Sequence, residues 1–244
     1  MRQVQVVGFG MGPHHLTREA EQALGLADFV VAFRKGGDDP LLEVRARIAE
    51  QFGLKLVEVE DPERDRAQPA DYPGAVRAWH EARTTALLEA LRSHEGVPAV
   101  LVWGDPSLYD STLRLLEAAA EQEALSWRVV PGISAPQVLA ARHGVVLHEV
   151  GAPVHVTTAR RLREAVDAGE RNIVVMLGSG PEWVGLEDWH VWWGANLGTT
   201  GERVVSGRVG AVADLVATAR AQARREAGWV MDAYLLRAPA DRSA

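Results

Sequence analysis

Residues 100–112 read VLVWGDPSLYDST, four apolar residues running into Gly-Asp-Pro with a helix-like segment directly behind. A run bounded in this way reads as a buried strand ending in a sharp βα turn. Gly104 permits close backbone approach, Asp105 can accept hydrogen bonds from a ribose or an amine, and Pro106 fixes the turn. Ser107 and Asp110 have capping-box spacing, which predicts that the next helix starts there. On this stretch alone, Asp105 reads equally as a turn former.

The same arrangement repeats on either side. Val4–Gly8, Phe29–Phe33, Leu54–Val59 and Val97–Trp103 read as strands, separated by helical segments at Leu16–Gly25, Leu41–Phe52 and Ala75–Ser93 and followed by one at Asp110–Glu123. Strand–helix alternation of this kind predicts a mainly parallel α/β sheet covered on both faces, with ligands at the carboxyl ends of its strands. Further on, Trp127–Val130 stops at Pro131-Gly132, and a helix opens at Ser134, which has capping-box spacing to Gln137, and closes at Gly144. Pro153–Thr157, Asn172–Leu177, Trp189–Trp193, Arg203–Val205 and Trp229–Leu236 follow as strands with helices between only some of them, so a mixed sheet is expected. The expected organisation is two α/β domains, 1–122 and 123–244.

Composition bounds the function. The chain has 244 residues, 47% of them apolar and 24% charged, as expected for a folded protein with a sizeable core. No run approaches the roughly 20 apolar residues of a membrane span, and no charged-then-apolar leader opens the chain. With no cysteine, disulfides and thiolate metal sites are excluded, and a cytoplasmic location is expected. A net charge of -7 argues against broad nucleic-acid binding, so an anionic ligand would need local Arg or Lys groups.

Two further strand ends resemble the first. VVGFGMGPHHLT places Gly8, Gly10 and Gly12 at the tip of the first strand, and VVPGISAPQ marks the end of another. Three such ends describe one crevice. A dinucleotide fingerprint would need Gly where Pro13 stands, and strand two ends in Phe33-Arg34-Lys35 without the acidic ribose hook. An NADP-dependent oxidoreductase remains the alternative from a different class. No metal site is expected: adjacent His14 and His15 would diverge, and no His-x-x-x-His or nucleophile elbow is present. Arg220, Arg224 and Arg225 read as a solvated helix face, whereas TTARRLRE follows a strand end where a carboxylate could be held bidentately.

Together these motifs resemble the tetrapyrrole methyltransferase family, which uses S-adenosylmethionine. VGFGMGPHHLT is similar to the family's opening signature but one residue shorter, with Met11 in place of Pro. VWGDPSLY, VVPGISAPQVLAARHGVVL and GTTGERVVSGRV resemble three later motifs, in family order. DPERDR, AVRAWHEAR, LVWGDPSLYDSTLR and HVTTARRL are similar to a cobalamin-pathway branch that methylates a ring carbon of a corrin precursor with loss of acetate. The resemblance implies two α/β domains with the cofactor in the cleft between them, usually a homodimer, and a tetrapyrrole substrate. Methylation elsewhere on a corrin precursor or on an uroporphyrinogen-type ring is the alternative within the family, and a non-catalytic tetrapyrrole carrier is a further one.

Carried over by residue, the resemblance places Pro13, Trp103, Gly104, Asp105, Leu108, Ser134, Ala135, Leu177 and Gly198 (or Leu197) at S-adenosylmethionine, with S-adenosylhomocysteine as product. Gly10 falls on the substrate side, where the shortened loop reshapes the rim. A substrate with many carboxylates makes Arg64, Arg66, Arg160 and Arg161 candidate clamps. Methyl transfer from a sulfonium needs positioning more than a nucleophilic side chain. Loss of acetate needs acid–base help, for which Tyr109, Asp110 and His80 are the candidates.

Overall fold

Valine-rich runs at Arg2–Gly8 (β1), Phe29–Arg34 (β2), Lys55–Glu60 (β3), Pro98–Val102 (β4) and Leu125–Val130 (β5) are joined by helices, the crossover that parallel pairing requires. A computed structural model, which describes residues 1–36, 39–62, 72–178, 180 and 183–240, shows this sheet with strand order β3-β2-β4-β1-β5. Val4, Val6, Val31, Val57, Val100 and Val102 face the helices Tyr72–Arg92 (α3) and Thr112–Ala120 (α4), against Leu87, Leu88, Leu91, Leu115 and Leu116. Val7, Phe9, Val30, Ala99, Leu101 and Val130 face Arg18–Gly25 (α1) and Pro40–Gln51 (α2), against Ala20, Leu24, Ile48 and Ala49. Strand alternation thus divides one sheet between two cores.

Local capping fixes the helix starts. Thr17 Oγ1 accepts the Ala20 amide at 3.1 Å, and Asp39 Oδ1 accepts that of Leu42 at 3.1 Å ahead of Pro40. One expected start moves. The fourth helix begins at Thr112, not at Ser107–Asp110, because Ser107 is turned back onto Asp105 and Tyr109 takes a left-handed backbone, φ 52°. Asp110 Oδ1 instead receives the Thr112 amide at 2.6 Å.

Two units form, residues 1–133 and 134–244. The division falls later than the expected 122/123 because β5 pairs in parallel along β1, Arg2 opposite Leu125 through Val7 opposite Val130, and so belongs to the first sheet. The second unit holds Ala135–His143 (α5), His155–Thr158 (β6), Leu162–Asp167 (α6), Asn172–Met176 (β7), His190–Ala195 (β8), Arg203–Arg208 (β9), Val209–Ala227 (α7) and Asp232–Arg237 (β10). Its sheet is mixed as expected, in the order β6-β7-β10-β8-β9, with only β6 and β7 parallel.

One face of this sheet buries Ile173, Val175, Val191, Trp193, Tyr234 and Leu236 against α6 and α7. On the other face Gly194 lets α5 come close: a Cβ there would lie 3.0 Å from Leu139 Cδ1. Among the described residues the second unit buries one acid, Asp232, whose Oδ2 accepts the Trp193 indole N–H at 3.2 Å and the Arg220 Nε–H at 2.9 Å. Removing a carboxylate that neutralises a largely buried guanidinium strands the cation. Asp232→Ala is therefore expected to cost about 3 kcal/mol of stability; urea unfolding followed by tryptophan fluorescence checks this, and a loss under about 1 kcal/mol contradicts it.

Candidate active site

The carboxyl ends of β1, β4 and β5 meet in contact tight enough to exclude side chains. A Cβ on Gly132 would lie 2.1 Å from the Gly104 carbonyl oxygen, and one on Gly8 would lie 2.7 Å from the Gly132 nitrogen and 2.8 Å from Pro106 Cδ. Gly10 and Gly104 form an isolated antiparallel bridge, with Gly10 N donating to Gly104 O at 3.2 Å and Gly104 N to Gly10 O at 2.9 Å. The glycines of two expected ligand loops therefore serve each other first. The helices after β1 and β4 lie on opposite faces of the sheet, and such a divergence is where open α/β sheets bind ligands.

Asp105 ties this junction. Its Oδ1 accepts the Ser107 amide at 2.8 Å and the Ser107 hydroxyl, and its Oδ2 accepts the Gly132 amide at 2.9 Å. Burial pushes the Asp105 carboxyl up, but the Ser107 hydroxyl and the Ser107 and Gly132 amides outweigh it and hold the group below the ordinary carboxylate range. A carboxylate oxygen keeps a second acceptor position, so Oδ2 can still receive a ligand hydroxyl. Beside it the Trp103 ring packs edge-on to Phe9, centroids 5.4 Å apart. Leu108 is half-buried, its amide bonded to the Asp105 carbonyl at 3.2 Å.

Tyr109, Leu177 and Asn196 are the described non-glycine residues with left-handed backbone, φ 52°, 56° and 49°. Bulky residues hold that conformation only where surrounding structure imposes it, and such positions cluster at functional sites. Tyr109 and Leu177 are candidates from the sequence, and Asn196 directly precedes the candidate pair Leu197-Gly198. Tyr109 and Leu177 are 47% and 57% exposed, whereas Asn196 is buried. Asn196 Oδ1 accepts the Met231 amide at 3.0 Å, which pins the end of β8 to the start of β10. Leu177 leaves β7 on the other side of β10, since Met176 pairs with Ala233 and Ala195 with Asp232. The two turns thus leave the same end of the second sheet. Gly198 donates its amide to Glu202 Oε2 at 2.7 Å, and Glu202 also holds Arg142.

Ser134 and Ala135 are buried at the start of α5, where Gln137 Oε1 accepts the Ser134 amide at 2.8 Å, the expected capping arrangement. Pro13 is exposed and opens a short 3-10 turn, Pro13–His15. His80 stacks edge-on against Trp79 in α3, centroids 4.9 Å apart. Arg160 and Arg161 are exposed, and Arg161 is ion-paired with Glu164 at 2.6 Å. Arg64 and Arg66 lie outside the described residues.

Two arginines to which the sequence assigned no role stand near Asp110. Arg83 pairs with Asp61 at 2.9 Å, donates to Ser111 Oγ at 3.0 Å and lies 4.2 Å over the Phe33 ring. Arg45 donates through Nε to the Leu101 carbonyl at 3.0 Å. Burial is the largest influence on both and lowers each guanidinium's pKa, against Asp110 and either Asp39 or Asp61 raising it. The legible mark of Arg45 was a charge amid the apolar stripe of α2, between Leu41 and Ile48. Among the described residues, no group of three His, Cys, Asp or Glu is placed to hold a metal ion.

Fold and strand-end geometry define a class, an α/β protein whose parallel strands end in closely packed glycine turns. The chain belongs to the tetrapyrrole (corrin/porphyrin) methylases, the family its residues 3–213 match. It is 42% identical to a precorrin-6A synthase [deacetylating] of Sinorhizobium sp, across 99% of this chain and 97% of that one. Its structure matches that of CobF, a cobalamin synthesis related protein of Corynebacterium diphtheriae, with a TM-score of 0.83 and 38% identity over 97% of this chain and 98% of that one. It shares its fold with the uroporphyrin-III C-methyltransferase of Thermus thermophilus solved with S-adenosylhomocysteine, at a TM-score of 0.57 and 19% identity over 96% of each chain. Family membership sets aside the oxidoreductase reading of the glycine loop.

Two substitutions test the junction. Gly132→Ala is expected to cost roughly 2–3 kcal/mol, because its Cβ has no room, whereas Gly25→Ala, whose Cβ meets nothing within 4 Å, is the neutral control; equal unfolding midpoints for the two variants contradict the close contact. Asp105 contributes stability above the unfolded carboxyl pKa of about 4 and loses it as pH falls through its lower folded value. The stability gap between the native chain and Asp105→Asn should be full at pH 6 and narrow below about pH 4. A gap that widens there contradicts the hydrogen-bond assignment.

Proposed function

We propose that the chain is an S-adenosylmethionine-dependent C-methyltransferase of corrin biosynthesis that methylates C-1 of precorrin-5 and releases acetate. The observation that carries this reading is the 42% identity to a precorrin-6A synthase [deacetylating] over 99% of the chain. The site agrees in kind. Its ordered parts are backbone turns and hydrogen-bond ties, which suits an in-line displacement governed by positioning and exclusion of water.

The residues present suit the cofactor. Leu177 and the Asn196–Gly198 turn present constrained backbone at one sheet end, as contact with a purine edge requires, and Asp105 Oδ2 keeps an acceptor position for a ribose hydroxyl. In this reading the residues that contact the cofactor are Pro13, Trp103, Gly104, Asp105, Leu108, Ser134, Ala135, Leu177 and Gly198. S-adenosylmethionine, when bound, supplies the electrophilic methyl group. The protein's own work is to orient the ring carbon and to move protons during acetate release. Tyr109, exposed and left-handed in backbone, Asp110, whose Oδ1 is committed to the start of α4, and His80 are the candidates for that transfer. Gly10 borders the substrate, and Arg160 and Arg161 meet its carboxylates. The tetrapyrrole is thus the expected partner, in a homodimeric cytoplasmic enzyme.

Mass spectrometry of precorrin-5 incubated with the protein and S-adenosylmethionine tests the reaction. The expected product gains one methyl group and loses a two-carbon fragment recovered as acetate; a methylated product that keeps that fragment rejects the deacetylating reaction. Arg160→Ala/Arg161→Ala is expected to raise the substrate KM about tenfold, with the S-adenosylhomocysteine dissociation constant unchanged. An unchanged KM removes both residues from that role.

A further inference from the structure

We propose that the Arg45 guanidinium is an anion subsite of the first unit that takes one carboxylate of the tetrapyrrole substrate. The inference rests on the functional reading above and names a contact that reading does not contain.

The argument starts from strand pairing. β2 and β4 are paired only from Phe29 opposite Pro98 to Val31 opposite Val100. Beyond that point Ala32–Arg34 stay with β3, while Leu101 and Val102 stay with β1. The carbonyl of Val102 accepts the Phe9 amide and so points toward β1. Successive carbonyls of a strand point to opposite sides, so that of Leu101 points toward the gap β2 has left. Arg45, arriving from α2, donates Nε to this carbonyl at 3.0 Å. The guanidinium is thereby anchored at the carboxyl end of the sheet, two residues before Trp103.

Anchoring through Nε leaves the two Nη groups, the part of the fork that matches a carboxylate. Among the described residues neither forms a hydrogen bond or ion pair. The nearby acids are engaged elsewhere: Asp39 accepts the Lys35 and Leu42 amides, Asp110 accepts the Thr112 amide, and Asp61 pairs with Arg83. Arg83 itself is spent on Asp61, Ser111 and the faces of Phe33 and Trp79. Arg45 is therefore a largely desolvated cation in reach of the fields of Asp39 and Asp110 but without a direct counterion. A cation in that state gains from an incoming anion, because much of its desolvation has already occurred on folding. A planar carboxylate on a large apolar ring is the ligand that fits.

Tryptophan-fluorescence titration with uroporphyrin III, a tetrapyrrole bearing eight carboxylates, is the binding readout, with calorimetric titration of S-adenosylhomocysteine alongside. Arg45→Gln should weaken uroporphyrin III binding roughly tenfold, the scale of a lost charge-assisted hydrogen bond. Arg45→Lys, which keeps the charge but not the fork, should weaken it by about threefold. Both variants should bind S-adenosylhomocysteine within about twofold of the native protein. If Arg45→Gln does not fold, Arg45→Lys decides, its unaltered uroporphyrin III affinity overturning the proposal. Equal losses in uroporphyrin III and S-adenosylhomocysteine binding also overturn it, since they mark a purely structural residue. Native protein that neither binds uroporphyrin III nor converts precorrin-5 overturns the functional reading, and this subsite with it. Conversion by the native protein with unaltered Arg45 variants overturns the subsite alone.

Discussion

The Asp105 carboxylate reaches from the end of β4 to the Gly132 amide at the end of β5, past the end of β1 that lies between them. That tie closes only because Gly8 and Gly132 lack side chains where they meet the Gly104 carbonyl. One charge-assisted contact and three glycines therefore set where three loops start. Trp103, Leu108 and Tyr109 take their positions from that junction, and α4 cannot begin until the chain has passed it.

The second unit solves a related problem with different means. There the strand ends are held by Asn196, which brackets Met231 with its amide and its side chain, and by Asp232 beneath Trp193 and Arg220. Leu177 and Asn196 take the left-handed backbone that glycine would hold without strain, so their conformations are imposed by neighbours. A scaffold of this kind presents backbone in fixed places. It suits a reaction in which the protein orients two reactants and a cofactor carries the chemistry.

Most of the strands were legible because their apolar runs are short, valine-rich and punctuated by glycine or proline. The capping pair Ser134–Gln137 was legible because both partners lie within one turn of helix. The same spacing misled at Ser107–Asp110, where Asp105 captures Ser107 first and the chain at Tyr109 turns left-handed. The membership of β5 was hidden because its partner, β1, lies over a hundred residues earlier. The three strand-end glycines stand out in sequence as ligand loops, but their packing on one another joins segments that are far apart in the chain. In sequence the charge of Arg45 carries no mark of its role, because the parting of β2 and β4 beside it depends on strands far apart in the chain. What sequence carried was local geometry; what it hid was which distant segments compete for the same space.

The central claim is that this junction is the floor of a methyl-donor site, and calorimetric titration of the native protein with S-adenosylhomocysteine and with NADP tests it most directly. The account predicts a dissociation constant on the order of micromolar for S-adenosylhomocysteine and no heat of binding for NADP. Binding of NADP without S-adenosylhomocysteine would contradict it.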